Sequence, residues 1–161
     1  MAQNDIQAEV AEVLTNYLVS HNQRKTPERY AILHAIYEGS GHFTVDDLYT
    51  RMETLFKVSR ATVYNALELF VELGLLIRHS FGKTPCYEKC YGVRDHFHQV
   101  CLRCGSVTEI HSKPVSASLN TVRYKRFHAQ TIAICAYGIC SKCQAVETRK
   151  KRVNLTTQLR K

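Results

Sequence analysis

Two cysteine pairs carry the clearest chemistry in this sequence. Cys101 and Cys104 are separated by two residues, as are Cys140 and Cys143, and 35 residues lie between the pairs. Both sulfurs of a C-x-x-C turn can bind one ion, and two such turns complete a tetrahedral thiolate shell for Zn²⁺. Because four thiolates leave no open coordination position, the spacing predicts a structural zinc site. The alternative is a thiol–disulfide switch, which typically uses a single C-x-x-C motif at the start of a helix.

Two histidines and a glutamate flank the first cysteine pair. His96 and His98 alternate along a predicted strand, so both side chains lie on one face, and Glu109 lies at the far end of the next predicted strand. Imidazole and carboxylate ligands suit Fe²⁺, Mn²⁺ or Zn²⁺ and release them more readily than four thiolates do. The alternative is a pair of exposed histidines on an edge strand. The set indicates a second metal site that differs chemically from the thiolate site.

The first half of the chain is predicted to be mainly helical. Residues 5–20 place apolar side chains at three- and four-residue steps, and further helices are predicted after Thr26, Thr44 and Ser59, residue types that cap helices. Residues 75–89 are predicted to form two short strands around a glycine-containing turn. This is the order of a winged helix-turn-helix, although a generic helical bundle with an attached hairpin has the same pattern.

The second half of the chain is richer in predicted strands. Residues 97–110 and 130–140 flank a helical stretch at residues 115–127, which predicts a small β-β-α-β unit joined by the cysteine pairs. Residues 90–95 show no clear periodicity and are the expected hinge.

Charge and hydropathy exclude some classes of function. Residues 1–92 carry 9 Lys/Arg and 11 Asp/Glu, whereas residues 93–161 carry 13 and 3, so the second half contributes +10 to the net charge of +8. Six of these positive charges lie in the last thirteen residues, where a basic tail is commonly disordered and is weak evidence for nucleic-acid binding. No apolar run reaches the roughly 18 residues of a membrane span, and the N-terminus lacks the features of a secretory signal. We expect a cytoplasmic protein with reduced thiols and no membrane partner.

The sequence resembles the ferric uptake regulator family of bacterial metal-responsive repressors over residues 10–145. The matching segments are RKTPERYAIL (24–33), GHFTVDDLY (41–49), SRATVYNAL (59–67), CYE (86–88), DHFHQVCLRCGSVTEI (95–110) and YGICSKC (137–143). The resemblance implies an α+β fold. It consists of a winged helix-turn-helix DNA-binding domain (1–89), a hinge (90–95), a small α/β dimerisation and metal-binding domain with a four-cysteine zinc site (96–148) and a basic, disordered tail (149–161).

The resemblance also implies which residues bind metal. The structural Zn²⁺ would be bound by Cys101, Cys104, Cys140 and Cys143. The regulatory Fe²⁺, Mn²⁺ or Zn²⁺ would be bound, at the junction of the two domains, by His42, Glu88, His96, His98 and Glu109. A third metal site that several relatives contain is expected to be absent, because Ile132 and Phe97 occupy the positions of its ligands.

The DNA-binding helix follows from the same resemblance. The helix that begins after Ser59 would enter the major groove, where base edges are distinguishable. The residues expected to contact DNA are Arg60, Thr62, Tyr64 and Asn65 on this helix, and Arg24 and Lys25 in a minor groove of A·T-rich DNA. For Tyr64 the alternative is a partly buried core aromatic. The implied function is a homodimeric repressor that binds A/T-rich palindromic operators in double-stranded DNA when a regulatory metal, expected to be iron, is bound.

Two other functions are compatible with some of these residues. A zinc hydrolase or deaminase needs an open coordination position and an H-x-E motif followed by P-C-x-x-C, which this sequence lacks, so we expect no catalytic residues. The same fold could instead sense haem, zinc or peroxide, with Cys86, Cys90 or Cys135 as axial or reactive thiols. The alternative for these three cysteines is a small buried side chain without such a role.

Overall fold

The computed structural model describes residues 3–81, 84–93, 95–129 and 132–158. The chain divides into two compact units, Met1–Arg94 and Asp95–Lys161, called here the N-terminal and C-terminal units. The division falls within the hinge predicted at residues 90–95. Among the described residues, no helix is long and apolar enough to cross a membrane.

The N-terminal unit consists of four helices followed by a two-stranded hairpin. The elements are α1 (Gln3–Ser20), α2 (Pro27–Glu38), α3 (Val45–Leu55), α4 (Arg60–Glu72), β1 (Leu76–His79) and β2 (Cys86–Lys89), with β1 and β2 antiparallel. An isolated bridge joins Phe43, between α2 and α3, to Tyr87 of β2. This is the element order of the predicted winged helix-turn-helix, and the bridge ties its wing to the helical part.

Side-chain caps set the starts of α3 and of α4, the helix that is expected to enter the DNA groove. Thr44 Oγ1 accepts from the backbone N–H of Asp47, whose carboxylate accepts from the backbone N–H of Thr44, a reciprocal capping box. Ser59 Oγ accepts from the backbone N–H of Thr62 at the start of α4. Thr26, also predicted as a cap, makes no side-chain cap bond, and α2 begins instead with a proline, which needs no N–H partner there.

One apolar core joins the helices of the N-terminal unit to its hairpin. Its fully buried side chains include Leu14, Leu18, Ile32, Ile36, Leu48, Met52, Val63, Leu67, Phe70 and Leu76. Burying a side chain of this size contributes about 1.5–3 kcal/mol of hydrophobic free energy. The inner face of α4 is therefore buried in this core. Tyr64 lies on the outer face of the helix and is 48% exposed.

The C-terminal unit contains a three-stranded sheet and two helices. The central strand β3 (Phe97–Cys101) pairs antiparallel with β4 (Val107–Ile110) and parallel with β5 (Cys135–Gly138). Helix α5 (Lys113–Asn120) lies between β4 and β5 in the chain. It is shorter than the predicted helix at 115–127, because β-branched residues follow Asn120 and Thr121 Oγ1 donates to the Ser118 carbonyl.

The last helix, α6 (Ser141–Gln158), begins within the second C-x-x-C motif. It includes residues 149–158, for which the sequence predicts a disordered tail. Residues 141–158 contain no glycine or proline, so nothing in their composition interrupts a helix that has already started. Residues 159–161 of the predicted tail lie outside the described residues.

Candidate metal centres and nucleic-acid interface

The four cysteines of the two C-x-x-C motifs converge at one end of the sheet in the C-terminal unit. Because β3 and β5 are parallel, with Cys101 opposite Gly138, the chain leaves both strands at the same edge. Gly105 closes the first turn with φ of +71° and donates its N–H to the Cys101 carbonyl at 2.8 Å. All four sulfurs lie within 4.8 Å of one another, and Cys104 Sγ is 3.8 Å from Cys140 Sγ. A tetrahedral zinc with Zn–S bonds of about 2.3 Å holds its sulfurs about 3.8 Å apart, so the geometry fits Zn²⁺.

Local hydrogen bonds also favour thiolates at this cluster. The backbone N–H of Cys140 donates to Cys101 Sγ at 3.3 Å, and this bond is the main reason that the pKa of Cys101 is lowered to about 6. Hydrogen bonds from Ser106 lower the pKa of Cys104. Interactions with the other thiols, Cys140 first, raise the pKa of Cys143 to about 12. Four neighbouring thiols lose all their protons only when a cation compensates the negative charge of the thiolates. A divalent metal ion provides this compensation.

The N-terminal unit brings two histidines and a glutamate together from three separate segments. His42 lies just before α3, His79 ends β1, and Glu88 lies in β2. Glu88 Oε2 accepts from His79 Nε2 at 2.9 Å and is 3.3 Å from His42 Nε2. His79 and Glu88 are each 5% exposed. A carboxylate oxygen with two imidazole nitrogens in a buried setting is a ligand set that suits a divalent transition metal.

His79 is the residue of this set that sequence reasoning missed. A single histidine at a strand end has no spacing signal of its own, and its partner Glu88 lies across the hairpin. The register supplies the missing information, because Ile77 is opposite Glu88 and alternation puts His79 on the same face as Ile77. The hairpin register, once known, would therefore have been enough to find His79.

The C-terminal unit holds the other predicted nitrogen and oxygen ligands. His96 Nε2 is 3.2 Å from His98 Nε2, and His98 is the register partner of Glu109 on β4. A donor atom of Glu109 lies within 4.8 Å of one of His96. Since β3 is the central strand and His98 is only 3% exposed, the alternative of two exposed histidines on an edge strand is excluded. The assignment of these residues to one regulatory site stays a prediction.

The remaining cysteines differ from the four-cysteine cluster in their surroundings. Burial, with a contribution from Glu88, raises the pKa of Cys90 to about 11 and also raises that of Cys86. Both are therefore neutral thiols near pH 7, and a neutral thiol is a poor nucleophile and a poor target of oxidants. Cys135 is half-buried in β5, opposite His98. The environments of Cys86 and Cys90 favour the interpretation as small packed side chains.

The predicted DNA-binding residues lie on accessible parts of the N-terminal unit. Arg24, Lys25, Arg60, Tyr64 and Asn65 are exposed, and Thr62 is half-buried. Thr62 Oγ1 lies 2.8 Å from Ser59 Oγ, so its hydroxyl takes part in capping α4. Tyr64 is 48% exposed, which favours a DNA contact over the alternative of a partly buried core aromatic.

These features define the class to which the chain belongs. A winged helix with polar and basic residues at the start of its fourth helix, together with two chemically distinct sets of candidate metal ligands, indicates a metal-binding, DNA-binding protein. The sequence model of the Ferric uptake regulator family matches residues 20–137. The chain belongs to this family, which confirms the resemblance seen in the sequence.

Individual relatives support the same assignment. The chain is 32% identical to the Peroxide operon regulator of Bacillus subtilis (strain 168) over 130 residues, which cover 77% of this chain and 86% of the relative. It is 35% identical to the Ferric uptake regulation protein of Neisseria meningitidis serogroup C over 108 residues, 65% of this chain and 74% of the relative. The Ferric uptake regulator from Pseudomonas aeruginosa, solved with manganese, has a TM-score of 0.65 and 26% identity, covering 79% of this chain and 97% of that one.

Membership confirms the coarse predictions of fold, function and partners. The chain has the α+β architecture of a winged helix with a dimerisation domain, and it is a metal-responsive DNA-binding repressor. Its four-cysteine cluster can bind structural zinc.

Proposed function

We propose that this chain represses transcription when a divalent metal, expected to be Fe²⁺, binds to its histidine and glutamate ligands. The carrying observation is the buried Glu88 carboxylate, which lies 2.9 Å from His79 Nε2 and 3.3 Å from His42 Nε2. Nitrogen and oxygen donors accept Fe²⁺, Mn²⁺ and Zn²⁺, whereas the four thiolates form a closed site for structural Zn²⁺. The chemistry of the two sets supports one metal that stabilises the fold and another that acts as a signal.

The proposal keeps the five regulatory ligands that the sequence suggests, His42, Glu88, His96, His98 and Glu109. Support comes from the convergence of donors inside each unit: His42 with Glu88 in one, and His96 with both His98 and Glu109 in the other. Binding would shift the protein towards conformations with higher operator affinity, by as much as the metal's affinity differs between the conformations. A tenfold rise in operator affinity corresponds to about 1.4 kcal/mol of coupling.

A metal signal has more support than a thiol signal. The pKa of Cys90 is raised to about 11 by burial and by Glu88, so this thiol is protonated under ordinary conditions. The names of the relatives include both peroxide and ferric regulators, and they do not separate these inputs. The regulatory positions carry Glu88 and Glu109, and glutamates there resemble iron- or zinc-responsive members of the family more than peroxide sensors. The regulator would act in the cytoplasm and needs no catalytic residue for this role.

The deciding experiment measures operator affinity under anaerobic conditions. Protein that retains its thiolate-bound zinc is titrated onto a duplex selected from a random pool, first without added metal and then with Fe²⁺, Mn²⁺, Zn²⁺ or haem. We expect one divalent metal to raise affinity at least tenfold, and Glu88→Gln to abolish the rise. His34→Asn is the matched control, because His34 lies on the exposed face of α2 beside Glu38. An affinity that no metal changes would refute metal sensing, and loss of binding only after peroxide treatment would favour a peroxide sensor.

A further inference from the structure

We propose that the C-terminal helix α6 is a second DNA-binding element, which binds the phosphate backbone of double-stranded DNA without recognising its base sequence. Four consecutive basic residues of the helix carry this role and are called here the basic helix segment: Arg149, Lys150, Lys151 and Arg152. The inference goes beyond the proposed function, because it concerns neither the regulatory metal nor the residues of α4.

Positive charge dominates α6 and the residues that follow it. Residues 141–161 contain seven Lys/Arg and one acidic residue, Glu147, which gives this stretch a net charge of +6. Glu147 lies four residues before Lys151, the spacing at which a helix ion pair forms. Its carboxylate is already paired with the guanidinium of Arg103, in the first C-x-x-C turn. The charge of the basic helix segment is therefore not compensated from within α6.

The helical conformation of the basic helix segment concentrates its charges. A helix rises about 1.5 Å per residue, so the segment carries one positive charge per 1.5 Å of its axis, whereas an extended chain would carry about one per 3.3 Å. Duplex DNA carries about one negative charge per 1.7 Å of its axis, which is close to the density in the helix. Arg149 and Arg152 are three residues apart, a spacing at which like charges repel each other in a helix. Phosphate groups would relieve this repulsion, so DNA binding and helix formation favour each other.

The start of α6 is fixed to the four-cysteine cluster, which gives the helix a defined origin in the C-terminal unit. The helix begins at Ser141, inside the second C-x-x-C motif. The backbone N–H of Gln144 donates to the Cys140 carbonyl at 2.9 Å, and Gln144 Nε2 donates to the Ile139 carbonyl at 2.6 Å. Arg149 is eight residues beyond Ser141, so the basic helix segment begins about 12 Å along the helix axis. A helix that is already anchored loses less conformational freedom on binding DNA than a disordered tail does.

Double-stranded DNA is the polyanion that fits this segment best. The chain is a DNA-binding repressor, so phosphate groups are present at high effective concentration whenever α4 contacts a duplex. A basic helix that binds an anionic membrane surface does so through an apolar face as well. Residues 149–158 contain two large apolar residues, Val153 and Leu155, whose two-residue separation does not put them on one helix face. The composition of α6 therefore favours DNA over a lipid surface.

The test compares two variants of the full, zinc-loaded chain, each of which lacks four positive charges. The segment variant has glutamine, a residue of similar helix propensity, at all four positions: Arg149→Gln/Lys150→Gln/Lys151→Gln/Arg152→Gln. The control variant neutralises four exposed residues of the same unit outside α6: Lys113→Gln/Arg123→Gln/Lys125→Gln/Arg126→Gln. Fluorescence anisotropy measures their affinity for a duplex of random sequence at several salt concentrations, with no regulatory metal added.

We expect the segment variant to bind the duplex at least tenfold more weakly at low salt. The slope of log affinity against log salt should become shallower by roughly 0.9 for each phosphate contact that is lost. The control variant should keep the slope of the unmodified chain. Equal losses in both variants, or unchanged binding by the segment variant, would overturn the inference. Vesicles that contain phosphatidylglycerol are tested in parallel, and a segment variant that loses vesicle binding but keeps DNA binding would assign the segment to a membrane surface instead.

A second measurement uses the unmodified chain and so does not depend on the folding of a variant. Lysine side chains are acetylated with and without the same duplex, and mass spectrometry follows the rate at each position. We expect DNA to slow the acetylation of Lys150 and Lys151 and to leave that of Lys113 unchanged. Equal rates with and without DNA at Lys150 and Lys151 contradict the inference. Because the duplex has no operator and the regulatory metal is withheld, the result is independent of metal-dependent repression, and either proposal can fail without the other.

Discussion

Arg60, the first residue of the recognition helix, is held by Asp46 in the first turn of α3. Its guanidinium Nη1 lies 2.5 Å from Asp46 Oδ1 and its Cζ lies 4.6 Å from the centre of the Tyr49 ring. The Asp46 interaction raises the pKa of Arg60, so the group stays fully charged. Both side chains are largely exposed, at 57% and 72%, and an exposed pair contributes little to stability. The pair therefore restrains an arginine that is expected to contact DNA.

Asp46→Asn should strengthen DNA binding. The change removes a negative charge near the duplex and releases Arg60 to contact phosphate, so affinity should rise a few-fold and its salt dependence should steepen. Fluorescence anisotropy at several salt concentrations measures both effects. Glu53→Gln removes the same charge from an exposed position on the same helix, which separates local release from a general change in net charge. Weaker binding by Asp46→Asn would mean that Asp46 positions Arg60 for its DNA contact.

Tyr64→Ala should lower the discrimination between operator sequences without unfolding the protein. Tyr64 is 48% exposed on the outer face of α4, so its removal creates no core cavity. A lost contact with a base edge or thymine methyl typically costs about 1–3 kcal/mol. Competition between duplexes with single base changes measures this, and Tyr64→Phe tests how much the hydroxyl contributes. Unchanged preference and affinity would remove Tyr64 from the DNA interface.

The sequence predicted elements better than it predicted their boundaries. The helices of the N-terminal unit follow from apolar periodicity and capping residues such as Thr44 and Ser59, which are local signals. The β-β-α-β order of the C-terminal unit was also predicted, but α5 ends earlier than expected and the helix α6 was not predicted. The end of α5 depends on weak propensities and neighbouring contacts. Residues 141–158 are mostly polar and have no regular apolar stripe, which is the main sequence signal of a helix.

The candidate site residues that local sequence patterns mark were predicted, and the one that depends on long-range contacts was missed. The thiolate cluster was predictable because each C-x-x-C motif carries its own geometry, and the four sulfurs lie together as expected. His79 was missed because its association with Glu88 depends on the register of the hairpin, and with His42 on the bridge between Phe43 and Tyr87. Neither pairing leaves a periodic trace in the sequence, so only a folded chain shows it.

Cys104→Ser should destabilise the C-terminal unit by removing structural zinc. Zinc bound to a closed thiolate site contributes about 10–16 kcal/mol of apparent binding free energy, which is more than a small unit can lose and remain folded. We expect zinc content to fall from one bound ion towards none and the homodimer to dissociate, as measured by metal analysis and light scattering. Cys135→Ser is the control, since Cys135 belongs to the same unit but not to the cluster. A zinc-free dimer of Cys104→Ser would show that the cluster is dispensable for assembly.

Asp47→Asn should weaken the N-terminal unit at neutral pH and lose its effect in acid. Hydrogen bonds from Thr44, first from its side chain and then from its backbone, lower the pKa of Asp47 below the ordinary aspartate value of 3.8. A lowered folded-state pKa stabilises the protein above the unfolded-state pKa, and this contribution disappears as pH falls through the folded-state value. Loss of such a cap typically costs about 1 kcal/mol. Urea unfolding at pH 7 and at a pH below the folded-state pKa of Asp47 should therefore show a difference between Asp47→Asn and the unmodified chain only at the higher pH. A difference that persists in acid would show that the cap acts through geometry rather than through the carboxylate charge.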